Sequence, residues 1–377
     1  MRTTPFARLC LMSALSIFLP AWAGAVTNEP LAALPPVPVP DNNVQTPAKI
    51  ELGKILFFDP RLSGDATTSC ASCHVPKLGW GDGNALSIGY PGTVHWRNSQ
   101  TILNVAYLNK WFWTGSAATL EAQAKGALTG PLAQNMNIGL AEERMRQVPT
   151  YVKMFKDVFN SAPTFDNALL AIVAFERTIV SKNVPFDRHM KGEKNALGAA
   201  AVKGLELFQG KAGCVQCHGG AMLTDQGFHN LGVPVNKIFA SDPQRQIAMR
   251  ERIKAKGIPE AEFLSFDRDP GHYLDTKKAE DKGTFRTPTL RELKYTGPYM
   301  HNGVFATLDA VIDFYNRGGD DDPFSTKSKM IKPLNLTKDE KAALRAFLES
   351  LSGDEILVDA PNIPDYAVLP FPLQPTR

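Results

Sequence analysis

The sequence predicts a mainly α-helical fold with long loops. Apolar residues recur at helical spacing in several segments, whereas the alternation typical of half-buried strands is scarce. Glycine and proline are frequent, with 29 and 28 of the 377 residues, which favours long connections between helices. One helical pattern, Gly53-x-x-Leu56-Phe57, recurs as Gly204-x-x-Leu207-Phe208 and indicates an internal duplication.

The first 25 residues have the features of a secretory signal peptide. Arg2 and Arg8 flank the start of an apolar run over residues 9–19, and a small-residue cleavage site follows near Ala23 or Ala25. We therefore expect export to the periplasm. The apolar run is too short to span a bilayer and no other stretch is long enough, so the sequence predicts no membrane span.

Composition narrows the class of protein. With 44% hydrophobic and 21% charged residues, the chain can bury a sizeable core. Cleavage of the leader would remove two of the 41 basic residues and leave 39 against 38 acidic ones. This near balance gives no support to binding of nucleic acid or of a membrane surface.

An extended segment, three predicted helices and a Pro-rich tail follow the leader. Residues 26–45 are rich in proline and alanine and predict an extended entry segment. A helix is predicted from Pro47, and two later apolar helices over 166–181 and 337–351. The last of these opens with a capping box from Thr337 to Glu340 and closes before Gly353. Residues 361–377 form a Pro-rich tail.

Two five-residue motifs carry the chemistry. Cys70-Ala71-Ser72-Cys73-His74 and Cys214-Val215-Gln216-Cys217-His218 each place a histidine directly after a Cys-x-x-Cys pair, which is the pattern of c-type haem attachment. A zinc ribbon keeps its cysteine pairs about 15–20 residues apart, whereas these pairs start 144 residues apart. The sequence therefore predicts two c-type haems. The covalent links are Cys70, Cys73, Cys214 and Cys217, and the axial iron ligands include His74 and His218.

Each haem motif lies between one apolar helix before it and another after it. We therefore predict two cytochrome c-like helical domains, each around one covalent haem, over residues 46–184 and 185–360. The remaining cysteine, Cys10, lies in the leader. No thiol is then left for a disulfide or a catalytic nucleophile.

Several longer stretches, in order along the chain, resemble one family. They are Leu52 to Ser63, Arg97-Asn98-Ser99, Phe112-Trp113-x-Gly115, Leu120-Glu121-x-Gln123-Ala124, Pro185 to Arg188, Phe285 to Arg291 and Pro298 to Gly303. With the two haem motifs, they resemble the bacterial di-haem cytochrome c peroxidases and, within these, the MauG-type enzymes.

The resemblance implies a second axial ligand for the C-terminal haem. Ordinary members place a methionine fourteen residues after the histidine of the Pro-Tyr-x-His motif, and counting from His301 gives Tyr315. MauG-type proteins have a tyrosine at that place. A thioether favours Fe(II), whereas a hard, anionic phenolate favours Fe(III) and higher oxidation states.

The N-terminal haem is where this family reacts with hydrogen peroxide. Classical members hold a distal histidine there until activation, and the matching residue is Tyr90. His95 is close in sequence and could reach the iron, so the sequence does not decide which of the two ligates it. We expect an open site, which can bind peroxide without prior reduction.

Two further residues take roles from the resemblance. Trp113 matches the tryptophan that relays charge between the haems, and Gln123 matches a distal glutamine that hydrogen-bonds peroxide. The distal glutamate of the family has no counterpart, because the matching stretch offers Ala133, Gln134 or Asn135. An amide cannot carry the proton that a distal acid moves. Candidate substitutes are Glu121, Glu142 and Glu143.

The family also binds one Ca²⁺ between the haems, through an asparagine side chain and two backbone carbonyls. Asn98, Thr296 and Pro298 match these positions, and oxygen ligands of this kind suit calcium. The MauG that acts on methylamine dehydrogenase has a surface tryptophan two residues before its second motif. Here that position is Ala212, so the sequence does not predict electron transfer from a protein substrate through a tryptophan at this place.

The sequence thus favours a periplasmic MauG-type di-haem peroxidase. Hydrogen peroxide would react at the N-terminal haem, and a protein or small donor would be oxidised through a high-valent di-haem state. One alternative is a classical cytochrome c peroxidase that takes electrons from a small cytochrome or cupredoxin. A second is a di-haem electron-transfer protein without catalytic activity.

Overall fold

The computed structural model describes residues 29–368, which contain fourteen α-helices, short 3-10 turns and a single two-stranded sheet. The predicted signal peptide and residues 369–377 of the Pro-rich tail lie outside the described range. None of the described helices is long and apolar enough to cross a bilayer. The prediction of a mainly α-helical fold with long loops is confirmed.

The helices divide between the two halves of the chain. Those of the first half are α1 Pro47–Phe58, α2 Cys70–Cys73, α3 Leu120–Thr129, α4 Ile138–Arg146, α5 Pro149–Phe159 and α6 Phe165–Glu176. Those of the second are α7 Pro185–Met190, α8 Ala199–Gln209, α9 Lys237–Ser241, α10 Pro243–Ala255, α11 Glu260–Phe263, α12 Tyr273–Thr276, α13 Leu308–Asn316 and α14 Lys338–Glu349. Strands β1 Phe228–His229 and β2 Phe285–Arg286 pair antiparallel, with Phe228 opposite Arg286.

The two halves repeat one helix crossing. A Cβ atom added to Gly53 of α1 would lie 1.8 Å from the carbonyl oxygen of Ala171 in α6. The same addition to Gly204 of α8 would lie 2.0 Å from the carbonyl oxygen of Ala343 in α14. Only glycine lets two backbones approach this closely. The duplicated Gly-x-x-Leu-Phe pattern therefore marks the same contact twice.

Threonine begins the principal helices. The side-chain oxygen of the N-cap threonine accepts a hydrogen bond from a backbone N–H of the first turn in α1, α3, α6, α13 and α14. Such a cap contributes about 1 kcal/mol. The capping box of Thr337 and Glu340 is present as predicted.

Two predicted helices are shorter than expected. The segment 166–181 ends as helix at Glu176, and α14 likewise stops at Glu349 rather than at residue 351. After Glu176, the Thr178 hydroxyl donates to the Phe175 carbonyl oxygen and competes with the helical ladder. Ile179 is buried all the same, in the first core.

Three apolar cores hold the described residues together. The first is formed by residues 52–179, and the second by residues around α8, α13 and α14. A third core joins the loop around Leu86 and Trp96 to the segment from Phe239 to Leu274, which includes α10. The third core thus fastens a segment of the second half onto a loop of the first.

The two ends of the described chain are exchanged between the halves. Leu31 is buried in the second core, and the Glu29 carbonyl accepts from the Gly220 N–H at 2.9 Å. At the other end, the Ile356 carbonyl accepts from the Trp80 indole N–H at 2.8 Å. Further along, the Ala367 N–H donates to the Gln147 carbonyl at 2.9 Å. Each half is therefore closed partly by residues from the opposite end of the chain.

Candidate functional site

The first haem motif forms a single tight helical turn. Helix α2 spans Cys70–Cys73, and the Ser69 N–H donates to the Ser72 hydroxyl at 3.0 Å. His74 follows directly, with Nδ1 3.0 Å from the Trp80 carbonyl oxygen. Because a carbonyl can only accept, Nδ1 carries the proton and Nε2 is left as a metal ligand. Burial also lowers the pKa of His74, which favours the neutral ring that binds iron.

The second motif repeats this arrangement. A 3-10 turn spans Cys214–Gln216, and Nδ1 of His218 lies 3.0 Å from the Leu223 carbonyl oxygen. Burial lowers the pKa of His218 as well. In both motifs a backbone carbonyl therefore selects the tautomer whose Nε2 can ligate a metal.

Both motifs line one continuous cavity of about 630 Å³. The cavity takes in the six predicted covalent and axial residues, Cys70, Cys73, His74, Cys214, Cys217 and His218. None of the four described cysteines forms a disulfide. Two pairs of free thiols on an apolar cavity, each beside a neutral imidazole, fit two covalently attached haems.

Tyr315 also lines this cavity, from the last turn of α13. Leu308, Ile312 and Tyr315 share one face of the helix, since they are four and three residues apart. Burial raises the pKa of the Tyr315 hydroxyl, and the nearby Cys214 and Cys217 raise it further. An iron ion would oppose this shift and stabilise the phenolate. The predicted ligand thus lies beside the second haem motif.

The two candidates for a distal ligand of the first haem lie in different places. Tyr90 packs its ring against Gly64, away from the cavity. His95 lines the cavity, but its Nε2 lies 2.8 Å from the Leu132 carbonyl oxygen and donates to it. That nitrogen is therefore not available as a metal ligand in this arrangement. Tyr90 does not line the cavity, and the Nε2 atom of His95 is bonded to the protein backbone.

The polar groups expected over the first haem are partly present. Gln123 lines the cavity from α3, and Ala133 and Gln134 line it from the loop that follows this helix. The Gln134 amide lies 3.6 Å from the Cys70 sulfur, at the haem edge. The cavity position matched to the family's distal acid thus offers a methyl group or an amide.

The substitute acids named from the sequence are engaged elsewhere. Glu121 accepts a hydrogen bond from the Arg177 guanidinium at 2.8 Å. Glu142 and Glu143 both pair with Arg146 near the surface of α4. None of the three lines the cavity.

A different acid does line the cavity, and sequence reasoning missed it. Glu176 is the last residue of α6 and is 5% exposed. Its Oε2 atom has no hydrogen-bond partner among the described residues. The signal that could have found it is an acid within an otherwise apolar helix, since such acids are rarely buried unless paired.

Trp113 bridges the two halves of the chain. Its indole N–H donates to the Asn98 carbonyl at 2.9 Å, and its own carbonyl accepts from the Arg286 N–H at 2.8 Å. Its ring meets the His301 ring edge-on, with centroids 6.4 Å apart. Trp113 lines the cavity shared by both haem motifs, as a relay residue requires.

Arg286 is a second residue that the sequence did not single out. It is 3% exposed and lines the cavity, and within residues 29–368 its guanidinium bonds only to the backbone carbonyls of Phe112 and Thr287. Burial lowers its pKa to about 10. A buried guanidinium without a carboxylate partner is a suitable site for a haem propionate.

The three predicted calcium ligands also lie along the cavity. Asn98, Thr296 and Pro298 all line it. The Asn98 side-chain N–H donates to the Asn84 carbonyl at 2.8 Å, which leaves its amide oxygen available. Ala212 lines the cavity near the second motif, where no tryptophan is present for electron transfer.

Comparisons with known proteins agree with this geometry. Residues 47–195 match the family described as di-haem cytochrome c peroxidase. The chain is 52% identical to cytochrome-c peroxidase IdrP1 of Denitromonas iodatirespirans, over 93% of this chain and 94% of the relative. It is 36% identical to methylamine utilization protein MauG of Methylorubrum extorquens, over 87% of this chain and 85% of the relative. A solved MauG-like protein associated with microbial copper homeostasis is 32% identical and superposes with a TM-score of 0.71, over 85% of this chain and 94% of that one.

Proposed function

The chain belongs to the di-haem cytochrome c peroxidase family, and from that premise we propose that it is a periplasmic peroxidase of MauG type. Membership makes it an oxidoreductase that acts on hydrogen peroxide and implies two c-type haems. The proposal adds that peroxide reacts at the haem of His74. It also adds that a protein or small donor is oxidised by charge shared with the haem of His218.

The observation that carries the proposal is the position of Tyr315. Its side chain lines the cavity together with Cys214 and Cys217, and burial there raises the pKa of its hydroxyl. A phenolate there would stabilise ferric and more oxidised iron, which is the function proposed for the second haem. The free Nε2 of His218 supports the same assignment.

The haems, when bound, supply the redox chemistry, and the protein residues hold and connect them. His74 and His218 are oriented by carbonyl acceptors, and Arg286 offers a cation for a propionate. Trp113 is fixed by hydrogen bonds to loops from both halves, which suits a relay between the two sites. Asn98, Thr296 and Pro298 would hold one Ca²⁺ beside it.

A second candidate is a classical cytochrome c peroxidase, which takes electrons from a small cytochrome or cupredoxin. The relative at 52% identity is named a cytochrome-c peroxidase, and His95 lies in the cavity. Release of its bond to Leu132 would free Nε2 for the iron and close the first site. The electron-transfer alternative has no such support, because relatives at 52% and 32% identity are named peroxidases.

The test is to add hydrogen peroxide to the diferric protein as purified, without a reductant. MauG-type behaviour predicts immediate oxidation, seen as a near-infrared charge-resonance band between the haems. The classical alternative predicts no reaction until one haem is reduced. Absence of the band, together with peroxide turnover only after reduction, would reject the MauG-type proposal.

A further inference from the structure

The end of α6 places a carboxyl group in the haem cavity without a protein partner. Glu176 is 5% exposed, and its Oε2 has no hydrogen-bond partner among residues 29–368. A polar atom buried in this way costs about 1–3 kcal/mol unless something bonds to it. Glu176 lines the cavity, whereas much of the rest of α6 packs in the first core, so we expect a partner to approach from the cavity.

The groups around Glu176 leave its carboxyl unpaired. Arg177 is the adjacent cation, but its guanidinium turns to Glu121 of α3 instead. On the haem side, Cys70 is close enough that, besides burial, a Glu176 carboxylate raises the pKa of its thiol, and haem attachment makes it a neutral thioether. Burial raises the pKa of Glu176 to about 8; the Arg177 charge lowers it and the Glu121 charge raises it. At neutral pH the side chain is therefore mostly a protonated acid.

The position of Glu176 relates it to the first haem rather than the second. Besides burial, a Glu176 carboxylate raises the pKa of the Cys70 thiol of the first haem motif, whereas it has no such effect on Cys214 of the second. Helix α6 packs against α3, the helix that carries Gln123 into the same cavity. A proton donor and an amide thus line one cavity wall, where the sequence offers no distal glutamate.

We propose that Glu176 is the proton-transferring carboxyl of the N-terminal haem site, in place of the acid that the sequence lacks at residues 133–135. The proposal rests on the proposed function only in placing the peroxide reaction at the haem of His74. It names a residue outside the loop in which the sequence pattern predicts the acid.

The proton balance of the step is closed. Hydrogen peroxide carries one proton on each oxygen. Glu176 gives its proton to the departing oxygen, the O–O bond breaks, and that oxygen leaves as water. The carboxylate then takes the proton of the remaining oxygen and is protonated again. The two electrons that cleave the O–O bond would come from the haem pair, which would also hold the remaining oxygen, and this step needs no other reactant.

The test compares Glu176→Gln with Glu143→Gln in the haem-loaded protein. Stopped-flow mixing with hydrogen peroxide gives the second-order rate constant as a function of pH. We expect Glu176→Gln to slow the reaction by about 100-fold or more, the usual contribution of a general acid. The Glu143→Gln control, which alters an exposed carboxylate of α4 outside the cavity, should stay within about threefold of the unaltered protein.

The pH profile is a sharper readout than the rate. The acid form is the active one, so the rate constant should hold below about pH 8 and fall as the pH rises through that value. This fall should disappear in Glu176→Gln and return, at a lower rate, in Glu176→Asp. In the resting protein without peroxide, infrared spectra should show a protonated carboxyl band that titrates near the same pH. The band should be missing from Glu176→Gln and shifted in Glu176→Asp.

The outcomes separate this proposal from the proposed function. An unchanged rate and pH profile in Glu176→Gln, with normal haem absorption, would overturn the assignment of Glu176. Measurement on both the diferric and the half-reduced protein removes dependence on the MauG-type proposal. If only the half-reduced protein reacts, the MauG-type proposal fails, whereas the effect of Glu176→Gln still decides the role of this carboxyl.

Discussion

The N-terminal and C-terminal haem sites have the same framework and different open faces. Each has a glycine helix crossing, a Cys-x-x-Cys-His turn, and a histidine whose Nδ1 donates to a backbone carbonyl. On the second site, Tyr315 enters the cavity from α13. On the first, the nearest imidazole, His95, is bonded to the Leu132 carbonyl instead. The two sites thus share the hydrogen bond that orients the histidine, and they differ in the side chains that line the cavity around them.

The difference shows where specialisation acts in such a pair. The shared features are backbone contacts and local turns, which tolerate little change because Gly53 and Gly204 have no room for a side chain. The unequal features are single side chains on loops and helix ends, such as Tyr315 and Glu176. Function can therefore change at one site without disturbing the other.

The largest expected effect tests whether the two frameworks are equivalent. Gly53→Ala and Gly204→Ala each force a Cβ atom onto a backbone carbonyl, so each should destabilise the protein by more than about 4 kcal/mol. Gly198→Ala is the control, because a Cβ atom there meets nothing within 4 Å. The measurement is the yield of folded holoprotein and its midpoint in guanidinium. A normal yield from either variant would show that the two crossings are not equivalent.

The next effect tests whether the sites differ through Tyr315. Tyr315→Phe removes the proposed phenolate, and we expect loss of the near-infrared band and about 100-fold slower donor oxidation. Tyr90→Phe is the matched control, since that ring packs against Gly64 away from the cavity. Absorption and electron paramagnetic resonance spectra report the ligand directly. An unchanged haem spectrum in Tyr315→Phe would show that another group ligates the second iron.

A smaller effect tests how the two sites communicate. Trp113→Phe removes the indole that donates to Asn98, and we expect charge transfer between the haems to slow by about tenfold or more. Trp111→Phe is the control, because the Trp111 N–H is buried without a partner among the described residues. Rapid-mixing spectra that follow each haem separately give the rate. Equal effects of both substitutions would mean that Trp113 only packs.

The smallest expected effect concerns calcium between the sites. Asn98→Ala should weaken Ca²⁺ binding by about tenfold or more, because it removes a side-chain oxygen ligand. Calorimetric titration of chelator-treated protein measures the affinity. Asn84→Ala serves as the control, since Asn84 contributes its backbone carbonyl to the Asn98 amide and its side chain is exposed. No difference between the two variants would place any Ca²⁺ elsewhere.

Local signals in the sequence were sufficient for much of this architecture. The haem motifs, the threonine caps and the repeated glycine each depend on residues close together in the chain, so their patterns predict them directly. The helix over 166–181 was predicted too long, because the apolar pattern continues through Ile179 after the backbone has left the helix.

Other features depend on distant parts of the chain. The bond between His95 and Leu132 and the third core arise from folding of separate loops against each other. In the sequence, Glu176 is an ordinary acid at the end of a helix. Its proposed function follows only from its position on the cavity. The exchanged chain ends likewise have no sequence pattern, since proline-rich segments indicate an extended chain without indicating the surface they cover.

The exchange of ends has a consequence for biogenesis. Trp80 holds the proximal His74 through its carbonyl, and the Trp80 indole is in turn held by the carbonyl of Ile356, close to the end of the chain. Synthesis proceeds from the N-terminus, so Ile356 emerges long after the first haem motif. The hydrogen bond that holds the Trp80 indole, and through Trp80 supports His74, can therefore form only late in synthesis.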